Sequence, residues 1–151
     1  MQRPSNPEGN MILIATASQT VGPFFNFGLT TNKALGRLAN DNTRGKRISL
    51  SIRILDRDGI PAAGDAMVEI WQADAKGVFR HPLDARSGDA DPGFWCWGRA
   101  RTNKDGWYTL RTVIPGAYEN RAPHINVSVL GIGLTRRLVT TVFFDRRQDP
   151  V

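Results

Sequence analysis

Short segments in which apolar and polar residues alternate are the feature that most restricts how this chain can fold. In the segment ISLSIRI, the apolar residues Ile48, Leu50, Ile52 and Ile54 occupy alternate positions. An extended backbone puts such residues on one face of a strand, whereas a helix needs apolar residues spaced three or four apart. The segment therefore predicts a half-buried β-strand.

Further strands are predicted along the rest of the chain, at residues 67–72, 94–102, 107–113, 125–129 and 138–144. Turns rich in Asp, Asn and Gly separate several of them, as at Gly59 and Gly106, and only residues 32–39 have a helical pattern. This arrangement predicts an all-β fold, a β-sandwich or barrel with one short helix. Residues 76–93 are rich in Gly, Pro and Asp and are predicted to form a long surface loop, of the kind that often lines a site.

Composition indicates one globular domain and excludes several kinds of site. The chain has 151 residues, of which 40% are hydrophobic, and this is enough for one core. We expect a flexible polar leader at residues 1–15 and a single domain at residues 16–151. The single cysteine, Cys96, excludes an internal disulfide and a cysteine-built zinc site. Because it lies between Trp95 and Trp97, it is predicted to be a small buried apolar residue.

The net charge of +6 does not by itself indicate a nucleic-acid interface. The basic residues are scattered, and no run reaches the roughly five to eight residues of a polyanion-binding patch. No apolar segment approaches the roughly 18 residues that span a bilayer, and the apolar residues 11–15 are too few for a secretion signal. We therefore expect a cytoplasmic protein.

Histidine and tyrosine are scarce, and the chain contains only His81, His124, Tyr108 and Tyr118. A metal site built on imidazole and phenolate must use these four side chains or draw on carboxylates. By their local patterns, His124 is predicted to be a hydrogen-bonded structural residue, Tyr108 a core residue and His81 an exposed loop residue. Glu69, on the strand predicted at residues 67–72, is predicted to join a structural ion pair.

Four segments, taken in order, resemble one known family. They are TASQTVGPF at residues 16–24, VEIWQADAKG at 68–77, TNKDGWYTLRTVIPG at 102–116 and APHINVSV at 122–129. Their order and spacing are similar to those of the intradiol ring-cleavage dioxygenases, and more narrowly to those of protocatechuate 3,4-dioxygenase subunits. The resemblance extends over nearly the whole chain, from about Thr16 to Asp145.

The resemblance implies a β-sandwich with long loops and a function in aromatic compound catabolism. Enzymes of this family use O₂ to open the ring of 3,4-dihydroxybenzoate, giving 3-carboxy-cis,cis-muconate. Their catalytic subunit holds a non-haem Fe(III) with two tyrosines and two histidines. Phenolates are hard anionic donors that suit ferric iron, and imidazoles complete the coordination shell.

The resemblance transfers only two of these four ligand positions onto this chain. Tyr118 follows a Pro-Gly pair as one of the family's tyrosines does, and His124 matches the first of its two histidines. The second histidine position is Asn126, and residues 76–93, which would supply the other tyrosine, contain none. The resemblance therefore implies that Tyr118 and His124 are vestigial ligand positions and that this chain itself holds no metal.

An incomplete ligand set resembles the alpha-type subunit of the protocatechuate enzymes, which pairs with an iron-holding beta-type subunit in a hetero-oligomer. In that subunit an N-terminal arm walls the substrate pocket of the partner's Fe(III) site, and here the arm is Thr20, Val21, Gly22 and Pro23. The family's substrate-facing arginine falls on Ile132. We therefore expect a chain that is inactive alone and that supports ring cleavage together with a beta-type partner.

Two other hypotheses stay open. A self-sufficient intradiol dioxygenase would complete its iron site with a carboxylate from Asp84, Asp89 or Asp91. A non-enzymatic, transthyretin-like β-sandwich would bind a partner without catechol chemistry, but it gives the arm no role. Because Val151 closely follows the last predicted strand, we also expect either an edge strand covered by a partner chain or a domain truncated at its C terminus.

Overall fold

The computed structural model describes residues 15–62, 64 and 66–144. Residues 1–14 of the predicted leader and the last seven residues, 145–151, lie outside this part. The described chain forms one α-helix, α1 (Pro23–Thr30), and two 3₁₀ turns, Lys33–Gly36 and Ser87–Asp89. Its six strands are β1 (Arg47–Arg53), β2 (Ala66–Trp71), β3 (Trp97–Arg101), β4 (Trp107–Val113), β5 (His124–Gly131) and β6 (Leu138–Phe143).

The strands form two antiparallel sheets. The smaller sheet pairs β1 with β4 and places Leu50 opposite Leu110. The larger sheet has the order β3-β2-β5-β6, and in it Val68 lies between Ala100 of β3 and Val129 of β5. Six short strands, two sheets and one short helix confirm the predicted all-β fold. The prediction that the last strand lies at a sheet edge is also confirmed, because β6 pairs only with β5 among the described strands.

The core lies between the two sheets and follows the alternation of the sequence. On β1 the exposed and half-buried residues alternate, and Ile48, Leu50 and Ile52 point inward as predicted. Tyr108 and Leu110 of β4, in the same sheet, are buried beside them. The inward residues of the larger sheet are also buried, and they include Val68, Ile70, Ile125 and Val127. Burying one large apolar side chain contributes roughly 1.5–3 kcal/mol, so this two-sided packing accounts for the sandwich.

The helical prediction for residues 32–39 is corrected by the structure. Only the 3₁₀ turn Lys33–Gly36 forms there, capped by the Asn32 side chain, which accepts a hydrogen bond from the Ala34 N–H. The α-helix instead begins at Pro23, in the segment that the sequence marked as an arm. Proline suits the first turn of a helix because its φ is fixed and it has no N–H to leave unpaired.

The long loop after β2 is held by two buried carboxylates. Asp74 accepts hydrogen bonds from the main-chain N–H groups of Lys76, Val78 and Asp91. Asp91 in turn accepts from the N–H groups of Arg44 and Gly93. These bonds give the loop a defined course across the outer face of the larger sheet, where the candidate site lies.

Candidate functional site

The two predicted ligand positions, Tyr118 and His124, contact each other directly. His124 begins β5 and is 1% exposed, and its Nδ1 lies 2.7 Å from the carbonyl oxygen of Ala122. Because a carbonyl only accepts, Nδ1 carries a proton, and in the tautomer that this bond selects Nε2 is left as the acceptor. The Tyr118 hydroxyl donates to that Nε2 over 2.9 Å. The guanidinium of Arg121 donates to the same hydroxyl oxygen over 3.3 Å.

Aromatic rings surround this pair. The Phe79 ring packs edge-on against Tyr118, with centroids 5.0 Å apart, and stacks on Trp71 at 5.2 Å. On the other side, His124 lies 5.7 Å from the ring of Phe143 on β6. We call Trp71, Phe79, Tyr118, His124 and Phe143 the aromatic cluster. It joins the long loop, β2, β5 and β6 at one end of the larger sheet.

A close approach of two turns holds Phe79 on Tyr118. Gly77 adopts φ = 76°, and a Cβ at this position would collide with the carbonyl oxygen of Ala117. A Cβ on Gly116 would collide with the backbone of residues 75–77 in the same way. Two glycines that face each other therefore let the loop touch the turn that carries Tyr118.

A cavity of about 540 Å³ opens beside the aromatic cluster. Its lining includes His81, Asp84 and Tyr118. The pKa of Asp84 is lowered by hydrogen bonds from the N–H groups of Phe79 and Arg86. His81 is half-buried, with its ring edge-on to Trp71 at 5.7 Å, so the prediction of an exposed loop histidine is wrong.

The side chains beside the pair do not fit a ferric ion held by the family's ligand chemistry. Asn126 offers an amide, whose Oδ1 accepts a hydrogen bond from Thr141 Oγ1 over 3.2 Å. The other tyrosine, Tyr108, is 2% exposed in the core, as predicted. Among residues 15–62, 64 and 66–144 no group of three His, Cys, Asp or Glu side chains is placed to hold a metal ion. Of the four ligand positions that the resemblance assigns, Tyr118 and His124 are the two that keep the family's residue types.

The arm lies at the opposite end of β5. The Thr20 hydroxyl donates to the carbonyl oxygen of Gly131 over 3.2 Å and accepts from the Gly133 N–H over 2.7 Å. His124 and Gly131 are the first and last residues of β5, a separation of about 24 Å at the usual rise of an antiparallel strand. The structure therefore brings Tyr118 to His124 but does not bring the arm to either.

At Gly22, neither the backbone conformation nor the described neighbours require a glycine. Its φ is −82°, which any residue adopts, and a Cβ built on it would meet no heavy atom within 4 Å. The neighbouring Val21 is half-buried and Pro23 is exposed at the first position of α1. Gly22 is itself half-buried, so among the described residues the arm has room for a side chain at this position without being fully exposed.

Apolar side chains are exposed around the arm. Phe24 is 87% exposed, Ile132 55% and Leu138 57%. Ile132 lies between the two glycines that bind Thr20, which puts the position matched to the family's arginine beside the arm. An exposed apolar group of this kind is typical of a surface that binds another protein.

The remaining sequence predictions fall outside both regions. Cys96 is 5% exposed, which confirms a small buried residue, and burial raises the pKa of its thiol. Glu69 accepts two hydrogen bonds from the guanidinium of Arg99, at 2.5 and 2.8 Å, which confirms the structural ion pair. Within the described residues, no helix is long and apolar enough to cross a membrane.

The sequence did not reveal the aromatic cluster. Phe79, Tyr118 and His124 are each visible in the sequence, but nothing in the local pattern indicates that the loop folds onto β5. The signal that could have found this contact is the pair of glycines, Gly77 and Gly116, because each precedes an aromatic residue by two positions.

Comparison with known proteins identifies the family. A family model described as "Dioxygenase" matches residues 20–150. The chain is 34% identical to the protocatechuate 3,4-dioxygenase alpha chain of Pseudomonas putida over 149 residues, which cover 89% of this chain and 71% of that protein. It is 37% identical to the beta chain of Burkholderia cepacia over 112 residues, covering 70% of this chain and 47% of the relative.

Solved structures agree with these relatives. The dioxygenase domain of a dioxygenase and carbohydrate-binding protein fusion from Streptomyces sp. SirexAA-E superposes with a TM-score of 0.59 at 25% identity, covering 95% of this chain and 75% of that one. For 3-chlorocatechol 1,2-dioxygenase from Rhodococcus opacus 1CP the TM-score is 0.60 at 22% identity, with 91% and 54% covered. The chain therefore belongs to the intradiol ring-cleavage dioxygenase family.

Proposed function

We propose that this chain is an iron-free, alpha-type subunit of a protocatechuate 3,4-dioxygenase. In this role it supports the cleavage of 3,4-dihydroxybenzoate by O₂ at a ferric site that a beta-type partner holds. The observation that carries the proposal is the incomplete donor set, in which Tyr118 and His124 bond to each other while Asn126 bonds to Thr141. The fold of a dioxygenase is thus combined with a site that keeps the family's residue types at only two of its four ligand positions, Tyr118 and His124.

The extent of the similarity supports the alpha-type assignment. The alignments with alpha chains of Pseudomonas putida and Burkholderia cepacia extend over 149 and 141 residues. The alignment with the beta chain of Burkholderia cepacia extends over 112 residues. Residues 20–23 fall within the family match, which begins at residue 20, so the arm belongs to the shared architecture.

The arm supplies the proposed contact with the partner's pocket. Thr20 uses its hydroxyl to fix the arm to Gly131 and Gly133, so in this proposal the hydroxyl positions the arm. Among the residues that the structure describes, Gly22 has no neighbour within 4 Å of the place where a Cβ would stand. Its lack of a Cβ then serves a close approach by the partner or by the bound substrate. Ile132, beside the arm, adds an apolar wall where the family's arginine would stand.

Reconstitution with a beta-type chain tests this proposal. The chosen partner should carry both tyrosine ligands and both histidine ligands. We expect the purified chain alone to be colourless and inactive towards 3,4-dihydroxybenzoate. The two chains together should form a hetero-oligomer with one iron per pair and consume O₂ with this substrate. A stoichiometric ferric iron content in the chain alone, with its visible absorption, would contradict the proposal.

One observation favours the self-sufficient alternative enough to test it. Of the three candidate carboxylates, Asp84 lines the same cavity as Tyr118, whereas Asp91 is buried and bonded to two backbone N–H groups. To bind iron, Asp84 would have to give up hydrogen bonds from Phe79 and Arg86. This alternative would be established if the isolated chain binds iron, if Asp84→Asn abolishes that binding, and if Asp89→Asn does not.

A further inference from the structure

A second cavity, of about 610 Å³, lies between the 3₁₀ turn Lys33–Gly36 and the start of β3. Its main lining residues are Leu35, Arg37, Trp71, Arg80, Trp95 and Trp97. The volume is within the roughly 300–1,000 Å³ of small-molecule sites. The proposed function gives this cavity no role.

Three tryptophans line this cavity. Trp95 is 59% exposed, and Trp71 and Trp97 are half-buried and directly opposite each other on β2 and β3. Flat, rigid walls of this kind suit a planar ring, because stacking an aromatic ligand on an indole adds to the gain from apolar burial. An aliphatic chain would gain the burial alone.

The charge of the cavity is positive. Arg37 and Arg80 line it, and none of its described lining residues is acidic. The guanidinium of Arg37 is offset by Asp41, whose Oδ1 lies 2.7 Å away. Arg80 lies over the Trp95 ring at 5.1 Å and donates to the carbonyl oxygen of Pro92, and no described carboxylate pairs with it. The cavity lining therefore favours a ligand with an anionic group.

We propose that this cavity binds a planar aromatic carboxylate, with its ring against the indoles and its carboxylate on Arg80. A guanidinium offers two parallel N–H groups that match both carboxylate oxygens. Arg80 is already oriented for this, because its main-chain N–H donates to the buried Cys96 Sγ over 3.2 Å and its side chain rests on Trp95. The site is separate from the aromatic cluster, although Trp71 borders both cavities.

Calorimetric titration of the full chain with 2-naphthoate tests the proposal, with uncharged 2-naphthamide as the matched ligand. We expect saturable one-to-one binding of the acid and binding of the amide weaker by roughly tenfold or more, because the charge-assisted hydrogen bonds are lost. Arg80→Met should weaken binding of the acid by a similar factor. Trp95→Leu should weaken binding of both ligands several-fold, because each loses the same stacking surface.

A matched pair elsewhere on the surface provides the control. Arg53 lies over Trp107 at 5.5 Å on the smaller sheet, so Arg53→Met and Trp107→Leu remove the same groups away from this cavity. Both should bind 2-naphthoate like the parent chain. If Arg80→Met fails to fold, Arg80→Lys decides, since it keeps the charge without the planar fork and should bind several-fold more weakly.

Three outcomes would overturn the proposal. They are no saturable binding of 2-naphthoate, equal affinity for 2-naphthamide, and loss of binding in Trp107→Leu with retention in Arg80→Met. The titration needs neither iron nor a partner chain, so its result does not depend on the proposed subunit function. A chain that fails to reconstitute activity can still bind the aromatic acid, and the reverse also holds.

Discussion

The two ends of β5 differ in how many contacts their side chains make within the chain. At the His124 end, the imidazole bonds to Ala122 and Tyr118, and aromatic rings close around the pair. At the Gly131 end, Thr20 fixes an arm that leads into exposed apolar residues, and Phe24 is 87% exposed. The first end is therefore held together by bonds within the chain, whereas the second presents exposed apolar side chains.

The largest effect is expected at the arm. In the reconstituted enzyme, Gly22→Leu should lower kcat/KM roughly 100-fold, because a side chain intruding on a substrate pocket displaces the reacting groups. Iron content should not change and the stability of the isolated chain should change little, since a Cβ at this position meets no described heavy atom within 4 Å. Steady-state O₂ uptake and thermal unfolding measure the two quantities.

Tyr118→Phe is the matched variant for the other end of β5. In the same reconstituted enzyme it should leave kcat/KM within about twofold, because the aromatic cluster is distant from the partner's site in this proposal. A loss of activity as large as that of Gly22→Leu would erase the difference between the two ends.

A smaller but clear effect on stability is expected from the glycines that hold the loop on the cluster. Gly77→Ala should lower the free energy of unfolding by roughly 3 kcal/mol, because it adds left-handed strain and a backbone clash. Gly59→Ala is the control, since Gly59 has a similar φ of 80° but nothing within 4 Å. It should cost only about 1 kcal/mol. Equal losses in urea unfolding would mean that the close approach does not matter.

The hydrogen bond within the pair should contribute less than the close approach does. Tyr118→Phe leaves the buried His124 Nε2 without its donor, and this should cost about 1–2 kcal/mol of unfolding free energy. The ring itself remains, so the packing against Phe79 is kept. Chemical denaturation measures the loss, and the imidazole nitrogen shifts in NMR should change at Nε2 more than at Nδ1. No change in either would mean that the bond does not form in solution.

The smallest effect is expected in the core. The Tyr108 hydroxyl is buried with no hydrogen-bond partner among the described residues, so Tyr108→Phe should be neutral or stabilising by up to about 1 kcal/mol. Burial raises the pKa of Tyr108. The unfolded chain therefore loses this proton first, and stability falls as the pH rises above the ordinary tyrosine value of about 10.

Tyr108→Phe should remove that part of the alkaline loss. The Cys96 thiol, whose pKa burial also raises, contributes equally in both proteins, so the difference between their curves isolates Tyr108. Parallel stability curves between about pH 9 and 12 would show that Tyr108 does not titrate as described.

Much of the fold could be predicted because its signals are local. Alternation in residues 48–54 located β1 to within one residue, and the segment 107–113 coincides with β4. The helix α1 was missed because its exposed Phe24 and Phe27 give no apolar face to recognise. Residues 32–39 have a helical pattern, yet only the 3₁₀ turn Lys33–Gly36 forms there. After it the backbone becomes extended and forms isolated β-bridges at Arg37 and Ala39.

The candidate site was predictable only in part. Tyr118 and His124 were found through the resemblance, and they are only six positions apart, a separation that a turn can bridge. The packing of Phe79 on Tyr118 crosses 39 positions and depends on the glycine contact. The position of the arm depends on hydrogen bonds between Thr20 and residues more than 100 positions away. No local pattern encodes contacts of that range.

The sequence by itself determined the strands, the family and the scarcity of histidine and tyrosine, because alternation, motif order and residue counts are all properties of the chain as written. The tertiary structure alone decided that Tyr118 bonds to His124, that the arm binds the far end of β5, and that Arg80 and three tryptophans enclose a cavity. These facts depend on which distant segments meet when the two sheets bury their apolar faces. Burial fixes those meetings through packing and hydrogen bonding, which the spacing of residues does not reveal.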